Sequence, residues 1–210
     1  MADIVAFPTP ASDGGRAGMS RADGPAALER PHGVPDAVWR AVESVRDMPR
    51  LDGVRYREIP VSSSLADFGI GVELSCEAGP DPAQDAASGW IMTLYSARPR
   101  SDWRSRWRCV AFARLPLDGG ANDCLTPAMY WDDMMDTLGA ADPDDVKGTV
   151  TVARNTSFGE APDEPHVGCE MRVSWTPTET PGGVDAGGQV MAWARFLRAS
   201  LRDDERETLG

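Results

Sequence analysis

Between residues 68 and 76 the chain alternates without a break. Phe68, Ile70, Val72, Leu74 and Cys76 fall on one side, and Gly69, Gly71, Glu73 and Ser75 on the other. A period of two belongs to a pleated strand, and an apolar side opposite a small or polar one belongs to a strand of an antiparallel sheet with one face buried. The pattern returns at Trp107, Cys109, Ala111, Ala113 and Leu115, and again at Val167, Cys169, Met171, Val173 and Trp175, set against Gly168, Glu170, Arg172 and Ser174. Three strands that each need one face covered require a second layer.

Three helical patterns supply it. Pro35 and Asp36 suit a first helical turn, and Val38, Ala41, Val42 and Val45 follow with i, i+3, i+4, i+7 spacing up to Met48-Pro49. "LTPAMYWDDMMDTLG" has Thr126 as a cap, Pro127 at the first position and Gly139 as a stop, with Ala128, Trp131, Met135 and Leu138 along one side. "GQVMAWARFLRASL" carries Val190, Trp193, Leu197 and Leu201. The remaining strand candidates are "VRYREIPV", polar enough for an edge, then "GWIMTLYSA" and "KGTVTVARN". The order is α-β-β-β-β-α-β-β-α. Strands joined by loops too short for a crossover helix pair antiparallel. The expected fold is therefore an α+β two-layer domain with an antiparallel sheet of about six strands and three helices.

With 210 residues, one such domain buries roughly 70% of the unfolded chain's surface and needs no metal or disulfide staple. Residues 1–28 are rich in Ala, Gly, Pro, Ser and Asp and read as a disordered tail. Residues 29–203 read as the single domain and 204–210 as a flexible end. The N-terminus lacks the basic and apolar regions of a signal peptide, and no apolar run reaches the length of a membrane span. The four cysteines, Cys76, Cys109, Cys124 and Cys169, form no C-x-x-C pair and read as small buried hydrophobes in a reducing compartment. A cytoplasmic protein without a cofactor is expected. The formal net charge of −12 disfavours general binding to nucleic acid or membrane.

Three places hold residues with chemical potential. In "RNTSFGEAPDEPH", Ser157, Glu160, Asp163, Glu164 and His166 lie within a dozen positions. A hydrolase serine sits on a G-x-S-x-G elbow between strand and helix, and this segment instead joins two strands. Its acidic spacing matches neither an EF-hand nor a zincin helix. A structural hairpin is the favoured reading, with ligand or partner contact second. In "ARPRSDWRSRWRC", Arg98, Arg100, Arg104, Arg106 and Arg108 stand beside Trp103 and Trp107. Cations between aromatics can stack bases and hold phosphates; equally, the arginines can pair with the chain's own carboxylates. Asp132, Asp133 and Asp136, followed by Asp142, Asp144 and Asp145, could gather a divalent ion, although a solvated acidic face accounts for them. His32 precedes the first helix with no partner for acid–base work close in sequence.

"LERPHGVP", "RWRCVAFAR" and "GTVTVARNTSFGEAPDEPHVGCEMRVSWTP" resemble an uncharacterised actinobacterial family, the domain of unknown function numbered three thousand, over roughly residues 28 to 202. The resemblance implies an actinobacterial, cytoplasmic, single-domain protein and carries no activity or catalytic residues. The element order is also similar to that of the small secretion-chaperone fold, which dimerises and binds extended peptide, with one strand more before the second helix. Together these features favour a non-enzymatic module that binds another protein, or itself as a dimer, through a sheet edge or helix face. The alternatives are an anion or single-stranded nucleic-acid binder using residues 98–108 and a metal-dependent enzyme using the acidic residues.

Overall fold

The computed structural model describes residues 29–76, 87–117, 126–138, 142–155 and 166–207. Helix α1 (Asp36–Asp47) buries Val38, Ala41, Val42 and Val45, the four positions its spacing marks. Asp36 sits in the first turn and Arg46 in the last, each complementing the helix dipole, and Met48 turns extended ahead of Pro49. Four strands follow: β1 (Val54–Ile59), β2 (Phe68–Cys76), β3 (Ser88–Arg100) and β4 (Ser105–Pro116). Then come α2 (Thr126–Leu138), a 3-10 turn η1 (Pro143–Asp145), β5 (Lys147–Asn155) and β6 (His166–Trp175). A two-strand ladder of β7 (Glu179–Thr180) and β8 (Gly183–Val184) leads into α3 (Ala186–Glu207). The expected α-β-β-β-β-α-β-β-α order is thus the observed one, with the small β7–β8 ladder set inside the Gly/Pro-rich loop before α3. Helix α3 continues into the segment read as a flexible end, while residues 1–28 and Cys124 lie outside the described residues.

All neighbours in the six-stranded sheet are antiparallel, in the order β1-β2-β3-β4-β6-β5. α2 carries the chain from β4 past one position to the far edge, and β6 returns to fill the gap. One face of the sheet is the core face. Val72, Ile91, Ala111 and Val173 lie in register across β2, β3, β4 and β6 on it and are buried. Small side chains on β4 let α3 come close, so that the fully buried Trp193 donates from its indole to the Phe112 carbonyl at 3.2 Å. α1 and α3 touch at Gly187, where a Cβ would fall 2.1 Å from the Ser44 carbonyl oxygen. No other side chain fits that crossing.

Helix α2 differs from its expected stripe. Met134 and Leu138 are buried and Trp131 and Met135 half-buried, while Ala128 is exposed. The helix packs over the end strand β5 and α3, and this places the broad Trp131 ring above Gly148 instead of in the centre of the core. Cys76, Cys109 and Cys169 are buried free thiols. Burial pushes Cys109 up to about 12 and Cys76 and Cys169 up to about 11. They remain protonated at neutral pH and pack as hydrophobes.

Candidate functional site

The arginine/tryptophan segment is the β3–β4 turn with its flanking strands. Arg104 at its end takes a φ of +53°, a left-handed conformation uncommon outside glycine, and its exposed side chain pairs with Asp145 at 3.3 Å. Arg108 sits on β4 next to the core residue Trp107, yet is only 7% exposed. Its guanidinium donates to Asp145 at 2.8 Å, to the Ser174 hydroxyl at 2.8 Å and to the Thr176 hydroxyl at 3.1 Å. Asp145, in η1, also accepts from the Thr176 amide at 2.5 Å and from Arg104 at 3.3 Å. The Thr176 hydroxyl in turn donates to the Trp103 carbonyl at 2.7 Å. Burial pushes the Asp145 carboxyl up, but the Thr176 amide and the Arg108 and Arg104 guanidiniums outweigh it and hold the group below the usual range. One buried carboxylate thereby ties together η1, the β3–β4 turn and the end of β6.

Most of the other residues in the segment are also engaged. Arg100 donates to Asp102 at 3.0 and 3.2 Å and to the Leu65 carbonyl at 3.3 Å, and lies 4.3 Å over the Trp103 ring, which is buried. Arg106 reaches the Tyr95 hydroxyl at 3.5 Å, a long contact, and both Arg98 and Arg106 are exposed. Arg100, Arg104 and Arg108 are thus paired with the chain's own carboxylates.

The second candidate segment connects two antiparallel neighbours, since Asn155 of β5 pairs with His166 of β6. Ser157, Glu160, Asp163 and Glu164 lie outside the described residues, and only the backbone of His166 is described. Of the acidic series, Asp132, Asp133, Asp136, Asp142 and Asp144 are exposed and Asp145 is buried in the ion pair. Among the described residues, no group of three or more His, Cys, Asp or Glu could hold a metal ion. His32 is exposed.

Among the described residues the face opposite the core is open in part: its end at Leu94 and Arg108 is buried, with Arg108 bonded to Asp145, and register places a continuous row of side chains across the rest. Arg57, Glu73, Trp90, Phe112, Arg172 and Thr149 are successive cross-strand partners from β1 to β5. Arg57 bonds Glu73 at 2.5 Å. The Trp90 and Phe112 rings stack with centroids 6.0 Å apart, and the Arg172 guanidinium lies 5.3 Å over Phe112. The next row holds Ile59, Gly71, Met92 and Val110, and Val61 folds back over Gly69, where a Cβ would meet it at 2.6 Å. On the far side Arg114 and Arg172 both bond Glu170, at 3.2 and 2.9 Å, and hold its carboxyl below the usual range. Trp90, Met92, Val110 and Phe112 are half-buried. These residues escaped the reading of loops and helices, although "GWIMTLY" shows the signal. Its apolar residues run on consecutive positions, so both faces of β3 carry hydrophobes.

Residues 34–201 match a family described as a protein of unknown function, DUF3000. The chain belongs to that family. The match starts just ahead of α1, spans all the strands and α2, and ends within α3. No curated protein and no solved structure matches the chain. Among the described residues, no helix is long and apolar enough to cross a membrane.

Proposed function

We propose that this domain is a non-enzymatic protein-binding module whose contact surface is the open part of the sheet face opposite the core. The observation that carries the reading is the Trp90–Phe112–Arg172 ladder at the middle of that face, its two rings half-buried and its arginine exposed. Aromatic and arginine side chains gathered at the centre of a surface are the composition of an interface core. Around the two rings, among the described residues, stand Arg57, Arg114, Lys147 and Arg172 against the carboxylates Glu73 and Glu170. The face is therefore locally positive on a chain whose formal net charge is −12. Charge complementarity selects a protein segment that is acidic with an apolar anchor. Arg57 is neutralised by Glu73, and Arg114 and Arg172 share Glu170, which favours a peptide of few charges over a polyanionic strand.

The test is capture from a lysate of the source organism with the tagged chain, its Trp90→Ser variant and its Met92→Asp variant, with and without nuclease. A stoichiometric protein bound by the parent chain through nuclease treatment, and lost from both variants while they stay folded, supports the reading. Material lost with nuclease, or a protein retained equally by both variants, contradicts it.

A further inference from the structure

The two edges of the sheet are guarded unequally. β1 carries Arg55, Arg57 and Glu58 and runs into Pro60, and charge with proline is what keeps an edge from pairing with another strand. β5 is nine residues long and reads Gly-Thr-Val-Thr-Val-Ala between Lys147 and Arg154, with no charge and no proline in the interval. It is bonded to β6 on one side, and among the described residues no strand pairs with the other. Val150 and Val152, on the core side of β5, are only half-buried. α2, the helix packed over β5, carries Met129 at 62% exposed. A long β-branched edge with no charge at residues 148–153, beside exposed apolar surface, is a template for strand addition.

We propose that a second copy of this chain occupies it, β5 pairing antiparallel with β5 about a two-fold axis through Thr151. The two six-stranded sheets then join into one. The strand is self-complementary in that register, which overlaps its whole length and centres on its midpoint. Val150 falls opposite Val152 of the other copy, so the core-side apolar surface continues across the junction. Thr149 faces Ala153 and Thr151 faces Thr151 on the open side, where Thr149, Thr151 and Ala153 are exposed, and threonine pairs support a ladder. No like charges meet, because Lys147 falls opposite Asn155 and Arg154 opposite Gly148. The pairing is isologous and closes at a dimer. It extends the positive open face without covering Trp90 or Phe112.

The experiment is disulfide trapping in the full chain. Residues facing each other across a two-fold antiparallel pair stand about 4.5–5.5 Å apart at Cα, inside the disulfide range of about 4.4–6.8 Å. Thr151→Cys is therefore expected to give a covalent dimer under mild oxidation, with the 151–151 linkage found by peptide mass spectrometry. Thr149→Cys lies about 13 Å from its own copy in this register and is expected to form no 149–149 linkage. Light scattering is expected to report a dimer for the parent and a monomer for folded Thr151→Lys, which sets two like charges face to face. A monomeric parent chain, an unlinked Thr151→Cys, or a 149–149 linkage forming as readily as the 151–151 linkage overturns the proposal. A monomer that instead gains a strand from another protein counts among the overturning results.

Discussion

Removing the carboxylate of Asp145 is expected to be among the most damaging single changes outside the apolar core. The Arg108 and Asp145 side chains are 8% and 7% exposed and 2.8 Å apart. Asp145→Ala leaves a guanidinium buried without its counter-charge, and breaking such a pair costs about 3–5 kcal/mol. Arg108 keeps the Ser174 and Thr176 hydroxyls as acceptors, which places this case near the lower end, about 3 kcal/mol. The variant also frees the Thr176 amide and Arg104, so the β3–β4 turn and η1 loosen together. For a domain of this size, that loss lowers Tm by roughly 6–12 °C. Urea unfolding with matched m-values, with thermal melts alongside, measures it. Asp145→Leu combined with Arg108→Met is expected to recover most of the loss, since no buried charge then remains. A loss below about 1 kcal/mol for Asp145→Ala, the range of exposed pairs, would refute the reasoning.

The same group sets an acid dependence. Its folded-state carboxyl lies below the ordinary value, so its contribution is present above the unfolded pKa of about 3.9 and is lost as pH falls through the lower folded value. The stability gap between the parent chain and Asp145→Ala should be constant near neutrality and shrink below about pH 4, as pH-stepped urea titrations would show. Gly187→Ala tests the α1–α3 crossing by its sign. Alanine ordinarily stabilises an exposed helix position by up to about 1 kcal/mol, whereas the clash with the Ser44 carbonyl should destabilise by about 1–3 kcal/mol; a gain in Tm would contradict the packing. Thiol titration should find Cys76, Cys109 and Cys169 unreactive in the native chain, because burial raises their pKa values to about 11–12, with all four cysteines reacting in guanidinium. Native labelling of any of those three would show that its packing is open.

Local periodicity carries the elements of this fold. The strict alternation of β2, β4 and β6 and the valine stripe of α1 are properties of neighbouring residues, so the strands and the buried face of α1 were legible. Strand order was not, because β6 slips between β4 and β5 through a choice of partners beyond any window of local pattern. The candidate site shows the same division. Asp144 and Asp145 are adjacent and chemically identical, yet only Asp145 is buried, because Arg108, 37 residues earlier in the chain, reaches it. Trp103 likewise sits in a polar turn by sequence and is buried beneath Arg100 in the structure. The open-face ladder was half legible: the double-sided apolar run of β3 marks it, but the alignment of Trp90 with Phe112 and Arg172 exists only once the register is known.

Hydroxyl-radical footprinting of the complex with the captured partner tests the central claim most directly. Trp90, Met92 and Phe112 should react in the free chain and lose that reactivity when the partner is bound, while the exposed Met129 on α2 serves as a reference outside the face. Unchanged oxidation at Trp90, Met92 and Phe112, with protection appearing elsewhere on the domain, would contradict the assignment of the open sheet face as the binding surface.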